Sequence, residues 1–343
     1  MKTGECRLTS GSKQRKKDIK KKIIVLVLCA VLFALCSPIQ AQETGKIFRI
    51  GFLDASTASG SAVLLGAFRQ ELGKLGWIEG KNFTIEYRFA ELKRERVPEL
   101  AAELVRLKAD LILVAGTPSA LAAKKATTTI PIVMASGGDP VGAGLVASLA
   151  RPGGNVTGLS SLGELNTKRL EILKDAIPRL SRVGLLRTSG GEVGPDPAQR
   201  SQAAAVALKL KLEEIVMDPI GLEGAFQSAK QKQVGAIMTA PSRIFFAERK
   251  LIVELAGKYR LPAIYPQDDF VEAGGLMSYG ADFDDLYRRA AVYVDKILKG
   301  AKPADLPVQQ ATKFDFVINL KAAKQIGLTI PNRVLERANQ VIK

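Results

Sequence analysis

Short apolar runs bounded by glycine, proline, serine and aspartate punctuate this chain, and stretches with helical spacing separate them. Residues 49–53, 111–115 and 130–134 read as buried strands of a parallel sheet. Between them, Leu64, Phe68, Leu72 and Leu75 are spaced as one helical face. Pro98 suits the first turn of a helix that carries Leu100, Leu104 and Leu107 on one side. The same order recurs in the second half, with strands at 182–186, 236–240 and 261–265 and a helical face of Leu170, Leu173, Ile177 and Leu180. In both halves a Pro-Ser pair follows the equivalent strand: Pro118-Ser119 and Pro241-Ser242. Alternating strands and helices predict an α/β protein with doubly wound, Rossmann-like lobes, and the repetition predicts two of them in tandem with a ligand held between. The alternative is one large α/β domain whose strands resemble each other by chance.

The N-terminal end has a different pattern. Residues 1–22 carry nine Lys or Arg against two acids, residues 23–36 are continuously apolar, and Ser37-Pro38-Ile39-Gln40-Ala41 follows. This is the layout of a secretory signal peptide over residues 1–41, cleaved after Ala41. The apolar run of 14 residues is shorter than the roughly 20 that span a bilayer as a helix, which favours cleavage over a retained anchor. The expected destination is the periplasm. Cys6, Cys29 and Cys36 are the only cysteines and all lie in this segment. Neither Cys29 nor Cys36 follows the small residue of a lipoprotein signal, since leucine precedes each.

Removing that segment lowers the formal charge from +16 to about +9. The remaining basic residues are interspersed with acids, the mark of a solvated surface and not of a nucleic-acid stripe. The chain contains no histidine. Ser-His-Asp and Cys-His nucleophilic sites and Cys/His zinc sites therefore cannot be assembled by this chain, and no spacing singles out a carboxylate or lysine pair. The expectation is a protein that is not an enzyme and uses no metal or cofactor. Gly142-Ala143-Gly144-Leu145-Val146-Ala147 fits a loose dinucleotide fingerprint, but Asp139-Pro140 is expected to have started a helix already, so the glycines read as helix packing.

Open α/β sheets bind ligands in the loops at the carboxyl ends of their strands. In the first half those loops hold Asp54, Ser56, Thr117, Ser119, Ser136 and Asp139; in the second half they hold Thr188, Thr239, Ser242, Tyr265, Asp268 and, further on, Tyr279. Small hydroxyl residues at helix starts leave backbone N–H groups free for an anion, and a nearby aspartate can hold an amine. The same residue types also cap helices, so capping and ligand contact remain open for each, Asp139 and Ser242 included. Tyr265, at the end of a strand, is expected to offer a ring face and a hydroxyl to a cleft.

Several longer stretches carry a family resemblance. They include Gly76-Trp77-Ile78-Glu79-Gly80-Lys81-Asn82, Gly138-Asp139-Pro140-Val141, Arg151-Pro152-Gly153-Gly154-Asn155-Val156-Thr157-Gly158 and Glu272-Ala273-Gly274-Gly275-Leu276-Met277-Ser278-Tyr279-Gly280. In this order they resemble the substrate-binding proteins of ABC transporters, over nearly the whole chain after the signal segment. The resemblance implies a two-lobed periplasmic-binding fold of the first type that captures a small polar solute, an amino acid or similar. It also implies delivery to a membrane permease with its ATPase, by a monomer. One branch of the family is specialised for tryptophan or other aromatic amino acids. Three crossings between lobes are implied near residues 160–162, 279–281 and 307–313. Lobe 1 would then comprise 46–160 plus 281–310, and lobe 2 would comprise 161–280 plus 311–335. The alternative function is a periplasmic ligand-sensing module for a membrane receptor, because the same fold serves in receptors.

Overall fold

A computed structural model of the protein describes residues 46–161, 165–189, 197–218 and 220–343. The export segment and its cleavage point lie outside these residues, as do parts of the first expected crossing and of the loop after Thr188. Ile47–Lys343 form one compact unit.

In chain order the first part comprises β1 (Phe48–Asp54), α1 (Ala58–Lys74), β2 (Phe83–Phe89), α2 (Val97–Arg106), β3 (Leu111–Ala115), α3 (Thr117–Ala126), β4 (Ile132–Ser136) and β5 (Val156–Ser160). The second comprises α4 (Leu165–Ala176), β6 (Arg182–Arg187), α5 (Pro197–Ala207), β7 (Lys211–Val216), α6 (Gly221–Gln231), β8 (Ala236–Thr239), α7 (Arg243–Ala247), α8 (Arg249–Lys258), β9 (Ala263–Tyr265), α9 (Asp269–Glu272) and β10 (Met277–Ala281). The remainder is α10 (Phe283–Leu298), β11 (Gln309–Gln310), β12 (Phe314–Asn319), α11 (Leu320–Gln325), α12 (Asn332–Leu335) and β13 (Gln340–Ile342).

Two sheets result, ordered β11-β5-β4-β3-β1-β2 and β13-β12-β10-β9-β8-β6-β7. Each contains the doubly wound order, and the strands that repeat in the sequence occupy equivalent places: β1 with β6, β3 with β8 and β4 with β9. All pairs are parallel except β10 with β12. Every residue of β3, β4 and β5 is buried; β3 and most of β4 accordingly read as apolar runs, whereas β5 is broken by Thr157 and Gly158 and does not. The sequence places the start of two strands at 130 and 261, whereas they begin at Ile132 and Ala263. Pro131 and Pro262 cannot donate to a ladder, and their carbonyls accept from Ile112 and Ile237 instead.

The chain passes between sheets after β5, after β10 and after β11. The passages are tied together by hydrogen bonds from Ala311 N to the Ser160 carbonyl and from Asp282 N to the Lys313 carbonyl. α10 returns to the first sheet, packing on α1 and β4, and Trp77 Nε1 donates to its Asp295 at 2.8 Å.

The helix expected at Asp139-Pro140 does not form. Residues after β4 make successive turns in which Asp139 Oδ1 accepts from Val141 N and Gly142 N, and Gly144 has φ +67°. Pro140, Gly142 and Gly144 within five residues disfavour a helix, and the aspartate stabilises the turn that replaces it.

Candidate functional site: the cleft between the two sheets

The carboxyl ends of the two sheets meet across a seam, and its centre is an ion pair. Asp54, the last residue of β1, is fully buried, and Arg243, the first of α7, is nearly so. Arg243 Nη2 donates to Asp54 Oδ2 at 2.8 Å and Nε to the same oxygen at 3.1 Å. The carboxylate also accepts from Ser61 Oγ at 2.6 Å, Ser56 Oγ at 3.0 Å and Ser56 N at 3.1 Å. Burial by itself would raise the Asp54 carboxyl; the Arg243 charge and these donors outweigh it and hold the group below its ordinary value. In return Asp54 holds the Arg243 guanidinium above its ordinary value despite burial.

The surroundings are built for close approach. A Cβ placed on Gly116 would lie 3.3 Å from Arg243 Cγ, and one placed on Gly60 would lie 2.7 Å from Ala247 Cβ. Phe246 packs beneath two guanidinium groups, those of Arg243 at 4.9 Å and Arg249 at 4.7 Å from its ring centroid. A second bridge across the seam runs from Arg94 Nη1 to the Ser189 carbonyl.

Several buried polar atoms have no hydrogen-bond partner among the described residues. They include Ser119 Oγ in the first turn of α3, Thr239 Oγ1 at the end of β8, Gln267 Nε2 before α9, Arg243 Nη1 and the Tyr287 hydroxyl on α10. Burial pushes the Tyr287 hydroxyl up to about 12, with Arg243 opposing; Ser136 is its neighbour, outside hydrogen-bond geometry. An unpaired buried polar group costs about 1–3 kcal/mol, so a cluster of them at strand ends is what a polar ligand would satisfy.

The other expected site residues divide by position. Thr117 Oγ1 accepts from Gly138 N at 3.0 Å, and Ser136 and Thr188 are buried beside the strand ends. Ser56 is committed to Asp54. Ser242 caps α7, Asp268 caps α9 from an exposed position, and Asp139 braces its own turn. Tyr279 meets Phe316 edge-on at 6.3 Å, and its carbonyl accepts from Arg169 Nε at 2.7 Å.

Tyr265 is placed differently from the expectation. Its ring is 1% exposed and stacks on Phe270 with centroids 4.8 Å apart. Its edge lines a separate pocket of about 390 Å³ formed wholly by second-sheet elements, including Leu261, Gly275 and Ile326. A ring so enclosed has no face to offer across the seam.

Arg243, Tyr287, Ser61 and Gln267 are absent from the sequence-based set. Arg243 directly follows the Pro241-Ser242 pair, so its position was visible; its partner, 189 residues away, was not.

Asp269, at the start of α9, is a further charged group near Arg243. Burial, reinforced by Asp268, raises its carboxyl from 3.8 to about 6. A raised carboxyl value means the folded state favours the protonated form, so ionisation costs stability as pH rises through 6. Asp269→Asn is expected to stabilise the protein by about 1–3 kcal/mol at pH 7.5. The gain should shrink as pH falls through 6 and vanish below about 4, and denaturant unfolding at several pH values checks it.

Two sheets of one winding order joined by three passages, with polar groups buried where their strand ends meet, define a two-lobed binding protein of the periplasmic type I fold. The chain belongs to the ABC transporter substrate binding protein family, whose model matches residues 60–342. It is 30% identical to a tyrosine-binding protein of Clostridioides difficile (strain R20291) over 264 residues, covering 76% of this chain and 75% of that protein. The crystal structure of a conserved domain protein from Vibrio cholerae O1 biovar El Tor superposes with a TM-score of 0.79 at 29% identity, covering 86% of this chain and all of that one. An ABC domain from Streptococcus pneumoniae in complex with L-Trp gives a TM-score of 0.76 at 28% identity, covering 85% of this chain and all of that one.

Proposed function

We propose that this protein is the solute-capturing component of an ABC transporter. It takes an amino-acid-like solute between its lobes in the periplasm and delivers it, as a monomer, to a membrane permease driven by an ATPase. Residues 1–41 serve as its export signal. The observation that carries the reading is the set of buried, unpartnered polar atoms at the seam, on Ser119, Thr239, Gln267, Arg243 and Tyr287. Thr117, Ser136 and Thr188 complete the polar lining, while Tyr265 supports the second lobe from within. The relatives add weight: one is a tyrosine-binding protein and another was solved with L-Trp.

Capture requires no chemistry by the chain. Closure exchanges the solute's water for fixed donors and acceptors, and three neighbouring passages let the lobes move without refolding. Isothermal titration with L-tyrosine, L-tryptophan, L-phenylalanine, L-leucine and L-glutamate tests the reading. At least one aromatic amino acid is expected to bind once per chain and to raise the melting temperature. Absence of binding across the panel would refute it.

A further inference from the structure

The ion pair at the seam leaves one partner saturated and the other half used. Asp54 receives as many as five donors: Ser56 N, Ser56 Oγ, Ser61 Oγ, and Nε and Nη2 of Arg243. A carboxylate offers about four lone-pair sites, so even with the Ser56 hydroxyl turned elsewhere none remains for a ligand's ammonium. On the guanidinium the account is the reverse. Nε and Nη2 are spent on Asp54, Nη2 also reaches Ser61 Oγ at 3.2 Å, and Nη1 is buried with no partner. The Tyr287 hydroxyl, close enough to feel both charges, is a second buried donor without a partner. Gly116, whose bare backbone lets the Arg243 stem pass, immediately precedes α3, where the Ser119 hydroxyl is a third.

We propose that Arg243 is the anchor for a carboxylate of the solute and that Asp54 is its positioning residue, not a ligand contact. The inference rests on the amino-acid-like reading above and narrows it. The site selects for the carboxylate through Nη1 and the Tyr287 hydroxyl, and it does not require an α-ammonium at Asp54. One side chain then belongs to both lobes at once. Its Nε edge is held by the first lobe, its stem by the second, and its free nitrogen faces the solute. Charge-assisted hydrogen bonds of this kind are strong in a dry site.

The test uses three probes on wild type, Arg243→Gln and Asp54→Asn, after circular dichroism has shown each to be folded. They are L-tyrosine, tyramine, which lacks the carboxylate, and 3-(4-hydroxyphenyl)propionate, which lacks the amine. Wild type is expected to bind the two carboxylates within about tenfold of each other and tyramine much more weakly. Arg243→Gln should lose about ten- to a hundredfold for both carboxylates while tyramine changes little, so the preference for a carboxylate collapses. Asp54→Asn keeps Nη1 and should lose less. A merely structural pair would instead weaken all three probes equally, and equally in both variants; that result overturns the proposal. Tyramine binding as tightly as L-tyrosine overturns it too.

Should wild type bind none of the three, tyrosine is not the solute, and the amino-acid reading stands or falls on the wider panel above. The anchor is then judged on the solute that wild-type protein carries from the cell, read by native mass spectrometry. A carboxylate solute absent from Arg243→Gln upholds it. A solute without a carboxylate, one retained by Arg243→Gln, or no solute at all overturns it.

Discussion

Tyr265→Ala is expected to lower the stability of the protein by about 3–5 kcal/mol, the usual cost of emptying a large aromatic site in a core. The ring is stacked on Phe270, and the chain passes so close beside it that a Cβ on Gly275 would sit 2.6 Å from Tyr265 Cε2. Alanine would leave a hole between a three-residue strand and the α9 segment, bounded by backbone that cannot collapse far. Urea unfolding followed by circular dichroism checks the prediction. Loss of solute affinity at unchanged stability would instead return Tyr265 to the site.

Gly280→Ala carries an effect of similar size by the opposite mechanism. Gly280 lies in β10 just before the chain passes between lobes, and a Cβ there would fall 1.7 Å from the Pro266 carbonyl oxygen and 2.7 Å from its carbon. Both atoms are backbone, so relief requires β10 to part from the β9–α9 loop. The strand is also fixed on its other side by antiparallel pairing of Gly280 with Asp315. A loss of about 3 kcal/mol or more, or failure to accumulate as folded protein, is expected, at the upper end of overpacking costs. Gly66→Ala is the control. Gly66 is on the exposed side of α1 with nothing within 4 Å of a new Cβ, so alanine there should stabilise by about 0.5–1 kcal/mol.

These two positions also show what the sequence could reveal. The central strands were legible because both faces are buried: β1, β3 and β4 and their counterparts β6, β8 and β9 leave little room for polar residues. The edge strands β2 and β7 were not. Their burial is partial, with Glu86 and Arg88 in one and Glu213 and Glu214 in the other, and such sequences resemble ordinary surface. The stretches behind the family resemblance turn out to be largely structural. Asn82 closes the turn after α1 by accepting from Ile78 N and donating to the Gly76 carbonyl, and Asn155 ties β5 to the Thr127 and Ile130 carbonyls.

The proposed site was legible to the extent that it follows strand ends. Ser119, Ser136 and Thr239 could be named because a doubly wound sheet places them there. What a strand end does not disclose is which way the side chain turns or what the opposite lobe brings to it. Tyr265 turned inward, Asp139 braced its own turn, and Asp54 was met by an arginine from the other half. Tyr287 came from α10, which departs from the second lobe and returns to the first. Its place in the proposed site depends on that path.

The most direct measurement on the central claim is native mass spectrometry of the protein as purified, with release and identification of any bound molecule. One amino-acid-like solute per chain, whose re-addition to stripped protein restores the bound mass and raises the melting temperature, is the predicted result. A protein that carries no small molecule and gains none from an amino-acid panel would contradict it.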